Sequence, residues 1–84
     1  MRRLIKYLTF ADYVVGVFTH KDPQGLLDKF AGKGERINDN RERVDFGENI
    51  GWFIDKATSI AYKTTKGTIR YNKKGEAHIV PARP

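Results

Sequence analysis

The run KTTKGTIRYNKKGEAHIVPARP, Lys63 to Pro84, carries two turn signals between alternating segments, and its pairing decides the fold. Asn72-Lys73-Lys74-Gly75-Glu76 suits a three-residue hairpin loop whose Gly75 takes the left-handed bulge position. That turn sets Tyr71 opposite Ala77, Arg70 opposite His78 and Ile69 opposite Ile79. Ile69, Tyr71, Ala77 and Ile79 then form an apolar face, and Arg70 and His78 share the other. Upstream, Lys66-Gly67 reads as a two-residue hairpin loop that sets Lys63 opposite Arg70 and Tyr62 opposite Tyr71. Ile60 and Tyr62 thereby join the apolar face, while Lys63, Thr65, Thr68, Arg70 and His78 gather on the polar one. Two cations directly opposite each other disfavour a sheet. An anion seated between them removes that cost.

Working back from this segment, IGWFID (residues 50–55), TSIAYKTT (58–65) and RVDF (43–46) read as further strands joined by short links, so neighbours should pair antiparallel. ERINDNRER (35–43) is polar and reads as a loop. In HKDPQGLLDKFAGKG, Asp22 is an N-cap and Pro23 takes the first helical position. Leu26, Leu27 and Phe30 share one helical face, and Gly32 and Gly34 can end the helix. LIKYLTF (4–10) and DYVVGVFT (12–19) are rich in β-branched and aromatic residues and read as strands, with a short helix as the alternative for the first. The expected fold class is therefore α+β, a single domain over residues 1–84 with one main helix packed on a four- to five-stranded antiparallel sheet.

The charge is as uneven as the pattern. The net charge is +6, of which residues 61–84 carry +5. A basic pole of this kind attracts polyanions, nucleic acid first. There is no cysteine, which removes a disulfide framework, thiolate metal sites and a cysteine nucleophile. No segment approaches the ~20 apolar residues of a membrane span. The expected setting is the cytoplasm, with no membrane partner.

The polar face suits a phosphodiester. RNA carries its own nucleophile, the 2′-OH, so cleavage needs a proton acceptor, a proton donor and cations for the charge that grows on phosphorus. His78 titrates near neutral pH and is the candidate acid or base. Arg70 and Lys63 would hold the phosphate, Thr65 would donate to a non-bridging oxygen, and Lys66, Lys73, Lys74 and Arg83 would guide the backbone. Asp55 and Glu76 are the carboxylates beyond residue 48, and neither stands at metal-ligand spacing from a histidine. No metal or cofactor is expected. His20, just before the helix cap, reads as a loop residue. Trp52 is the candidate base-stacking platform.

GLLDKFAGKGE (25–35), VDFGENIGWFIDKAT (44–58) and the closing run that ends His78-Ile79-Val80-Pro81 together resemble the polymorphic toxin type 50 domain, which also occurs at the ends of phage head-morphogenesis proteins. The resemblance spans Gly25 to Pro84. It implies a fold of the barnase–EndoU–colicin–RelE group and a metal-independent RNase that leaves a 2′,3′-cyclic phosphate, with Thr65, Tyr71 and His78 as site residues. The sheet-face reading selects Thr65 and His78 as well but places Tyr71 on the apolar side. The sequence departs from the family pattern in having no histidine in residues 1–19 and in carrying Arg70 where a histidine is typical.

Two functions follow. One is an endoribonuclease of toxin or phage origin acting on RNA, with a cognate immunity protein as partner. The alternative is a weakened nuclease scaffold that binds nucleic acid, or inhibits a host nucleoprotein (defence) complex, for a phage or mobile element. A third reading, a structural domain of a phage head, predicts self-association with little affinity for RNA.

Overall fold

The computed structural model describes residues 5–7 and 16–84. Of the strand readings over 4–10 and 12–19, residues 6–7 and 16–18 are strand, and residues 4, 8–10 and 12–15 lie outside the described residues. Among these residues eight strands and one helix follow in the order β1 (Lys6–Tyr7), β2 (Gly16–Phe18), α1 (Pro23–Phe30), β3 (Glu35–Asn38), β4 (Arg41–Asp45), β5 (Gly51–Ile54), β6 (Ala61–Thr64), β7 (Lys66–Tyr71) and β8 (Glu76–Pro81).

The strands form two sheets. One has five strands in the order β1-β8-β7-β4-β3, and the other has three in the order β2-β5-β6. The larger sheet is mixed, because β1 runs parallel to β8 while its other pairs are antiparallel. This corrects the expected fold class. Among the described residues strand is the commonest structure, the helix has eight residues, and the strands divide between two sheets rather than forming a single antiparallel one.

The cause lies at Gly67. Lys66-Gly67 does not turn the chain; both residues belong to β7. A Cβ at Gly67 would stand 2.8 Å from Ile50, 2.9 Å from Ile79 and 3.1 Å from Phe46. The glycine is there for close packing inside a strand. The chain instead passes from one sheet to the other at Thr65. Buried Thr64 secures this crossing by donating its hydroxyl to the Ala82 carbonyl at 2.7 Å and accepting from the Lys66 N–H at 3.0 Å. Consequently β6 pairs with β5, and Lys63 stands opposite Trp52, not opposite Arg70. Tyr62 and Ile60 are exposed rather than part of the apolar face.

The second turn signal behaves as read. Gly75 is left-handed with φ +81°, and Ile69, Arg70 and Tyr71 face Ile79, His78 and Ala77. Ile69, Ala77 and Ile79 are buried with Leu26, Leu27, Val44, Phe46 and Ile50, and Tyr71 packs against this cluster. The helix starts as expected, with the Asp22 carboxylate accepting from the Gly25 N–H at 3.0 Å. The Gln24 side-chain amide accepts from the Tyr7 N–H at 2.8 Å and donates to the Ile5 carbonyl at 2.7 Å, tying β1 to the helix. The polar stretch read as a loop forms β3 and most of β4, a hairpin with a register shift at Ile37.

Candidate functional site

The candidate site lies on the face of the five-stranded sheet opposite the core. In β4, β7 and β8 the residues Glu42, Val44, Ile69, Ala77 and Ile79 point inward and are buried. Alternation sends Arg41, Arg70 and His78 to the other side. These three occupy one row, His78 opposite Arg70 and Arg70 opposite Arg41, with Asn38 of β3 next to Arg41. Each of the three is half-buried. At the ~4.8 Å spacing of neighbouring strands, the two guanidinium stems and the imidazole stem lie within about 10 Å of one another. Neither Arg41 nor Arg70 forms an ion pair with a described residue. The like-charge pair expected between Lys63 and Arg70 does not form, since Lys63 pairs with Trp52; the residue opposite Arg70 on β4 is Arg41.

A cleft of about 350 Å³ opens at this row, lined by Asn40, Arg70, Tyr71, Asn72, Glu76 and His78. It adjoins a second hollow lined by Asn38, Asp39, Asn40, Tyr71, Asn72 and Lys73. The two hollows share Asn40, Tyr71 and Asn72 beside the β7–β8 turn. Glu76 shares the outward face of β8 with His78 and accepts from the Asn72 side-chain amide at 2.8 Å. Asn72 also accepts from the Lys74 and Glu76 N–H groups at 2.9 and 3.0 Å, which fixes the turn.

The reverse side of the row is braced by a buried carboxylate. Glu42 accepts hydrogen bonds from the Gly32 N–H at 2.7 Å, the Gly34 N–H at 2.9 Å and the Tyr71 hydroxyl. Burial pushes the Glu42 carboxyl up, but the Tyr71 hydroxyl, the two amides and the Arg36 charge outweigh it and hold the group below its ordinary value. Burial and the neighbouring carboxylate push the Tyr71 hydroxyl well above its ordinary value. Tyr71 therefore lines the cleft while its hydroxyl is engaged on the core side.

Residues 9–81 match the family model described as bacterial toxin 50. The chain belongs to the bacterial toxin 50 family. No curated protein and no solved structure matches it. Among the described residues of this toxin domain no helix is long and apolar enough to cross a membrane.

Of the site residues expected in the toxin domain, Arg70 and His78 come together and Tyr71 borders them. Thr65 lies five residues along from Arg70, some 16 Å at ~3.3 Å per residue, and donates its hydroxyl to Asp45 at 2.8 Å. Lys66 stands opposite Asp45. Lys73 and Lys74 are exposed at the β7–β8 turn, Lys73 beside the second hollow. Lys63 lies over the Trp52 ring at 5.6 Å on the small sheet. Arg83 contacts Asp55 at 2.9 Å and covers the Phe53 ring at 4.9 Å. His20 stays at the helix start, where Nδ1 accepts from the Asp22 N–H at 3.0 Å and Nε2 faces Glu48 at 3.1 Å. Sequence reasoning missed Arg41 and Glu76. The alternation Arg41-Glu42-Arg43-Val44-Asp45-Phe46 signals Arg41 once Glu42 is allowed an inward position.

Proposed function

We propose that this toxin domain cleaves RNA at the outward face of its five-stranded sheet. What carries the reading is the row of Arg41, Arg70 and His78 beside a cleft that also contains Glu76. A phosphodiester seated on the two guanidinium groups would relieve their mutual repulsion and lie beside the imidazole. A proton acceptor removes the 2′-OH proton and the 2′-oxygen attacks phosphorus. The bond to the 5′-oxygen breaks, and a proton donor returns a proton to that oxygen. The products are a 2′,3′-cyclic phosphate and a 5′-hydroxyl. His78 and Glu76 are the two titratable groups assigned to these transfers, with His78 as the donor. Arg41 and Arg70 balance the charge that accumulates on the non-bridging oxygens.

The test is incubation of total RNA and tRNA with the domain in EDTA, beside His78→Ala, with end-group analysis of the fragments. Cyclic phosphate ends from the wild type and intact RNA from the variant are expected. Intact RNA in both lanes at high protein concentration would remove the cleavage reading and leave the row as a binding face for phosphates.

A further inference from the structure

The small sheet carries a second surface, independent of the cleft. Among the described residues, Val17, Trp52, Ile60 and Tyr62 are four of the five exposed large hydrophobic side chains, with Val17 and Ile60 about half exposed. All four sit on or beside the sheet β2-β5-β6. Val17, Trp52 and Lys63 form one row of its outward face, followed by Ile54 and Ala61. Ile60 and Tyr62 fall on the opposite face. Val17 and Trp52 thus leave apolar surface on one face of the sheet, and Ile60 and Tyr62 on the other.

This sheet ends at β6, whose outer side has no partner strand among the described residues. The Asp55 N–H donates to the Ile60 carbonyl and the Ile50 N–H to the Thr64 carbonyl, both at 3.0 Å. Antiparallel alternation therefore turns the backbone groups of Ile60, Tyr62 and Thr64 toward β5. Those of Ala61 and Lys63 face the open edge. An edge of this kind accepts an extended segment by main-chain hydrogen bonding, with alternate side chains setting specificity.

We infer that the β6 edge takes an added strand from a partner protein, one whose strand alternates carboxylates with apolar residues. Carboxylates would lie beside Lys63 on one face, and apolar side chains beside Ile60 and Tyr62 on the other. A second copy of this chain fits poorly, since it brings another +6 body to an edge without a carboxylate. RNA fits poorly too, because it offers no main-chain ladder for the backbone groups of Ala61 and Lys63.

The experiment follows the backbone amide resonances of the intact chain by NMR. A short synthetic peptide alternating valine with glutamate is added, and a valine–lysine peptide serves as its counterpart. The Ala61 and Lys63 amides should shift with the glutamate peptide and stay in place with the lysine peptide. Ala61→Pro removes an edge donor that the native sheet does not use, and should abolish the shifts while leaving the remaining spectrum folded. Lys63→Glu should reverse the peptide preference, and it carries the test if the proline variant does not fold. Absence of shifts at millimolar peptide, shifts confined to Arg70 and His78, or self-association through the same amides would overturn the inference. RNA cleavage plays no part in this readout, so failure of the nuclease reading leaves it intact.

Discussion

The two sheets treat their cations differently. On the small sheet Lys63 rests on the Trp52 ring, and Arg83 is shared between Asp55 and the Phe53 ring. Arg83 is the first cause of the Asp55 carboxyl lying below its ordinary value. On the large sheet Arg41 and Arg70 face each other across β4 and β7 with His78 completing the row. A single cation over a ring gains one ion pair from an incoming anion. A facing pair with no ion-pair partner among the described residues gains more, because the anion also relieves the repulsion between the two. On the readings proposed above, the large sheet would seat a phosphate and the small sheet would accept a partner strand, although residues 61–84 supply cations to both.

The largest effect should come from the row itself. His78→Ala is expected to lower RNA cleavage in EDTA by about 10²–10⁴-fold, with the circular dichroism spectrum and melting temperature retained. A loss of cleavage accompanied by unfolding would instead make His78 a packing residue.

Next in size is the brace behind the row. Glu42→Gln replaces an ionised acceptor that serves two amides and a hydroxyl, and should cost about 2–3 kcal/mol in urea unfolding. Folding lowers the Glu42 pKa, so its contribution is complete above the ordinary value of 4.5 and is lost as pH falls through the folded-state value. Tyr71 has the opposite sign. Its pKa is raised above 10.0, so its contribution is complete below that value and disappears as pH rises through the folded-state value. Acid unfolding of Glu42→Gln should therefore be shallower than that of the wild type, as read by fluorescence across an acid titration.

A smaller effect is expected at the junction of the two sheets. Gly67→Ala forces a methyl against Ile50 and Ile79 and should cost about 1–2 kcal/mol. If Gly67 were a turn glycine, alanine would strain the local backbone and leave the melting behaviour of the core residues alone. Tryptophan fluorescence and amide exchange at Ile50 and Ile79 distinguish these outcomes.

What the sequence discloses follows the same division. The β7–β8 hairpin is legible because its turn chemistry and alternation are local, and both give the same register. Helix α1 is legible for the same reason, from Asp22 and Pro23 through Leu26 and Leu27. The Lys66-Gly67 signal misleads, because a glycine admitted for tight packing looks like one admitted for a turn. Only the Ile50, Ile79 and Phe46 side chains, distant in sequence, tell them apart. The strand β4 is concealed by Glu42, a buried carboxylate that reads as solvent-facing until Gly32, Gly34 and Tyr71 are seen around it. With β4 hidden, the local pattern sets Lys63 opposite Arg70, where the structure has Arg41. The parallel pairing of β1 with β8 depends on contacts between opposite ends of the chain and has no local signature.

The central claim is most directly tested by the salt dependence of binding to a 2′-deoxy oligonucleotide, which occupies the phosphate seat without being cut. Each phosphate contact on a single strand contributes a slope of about −0.7 in log K against log salt. Arg41→Ala and Arg70→Ala should each flatten the slope by about that amount, and Lys63→Ala should leave it unchanged. A flattened slope for Lys63→Ala with wild-type behaviour in Arg41→Ala would contradict the account.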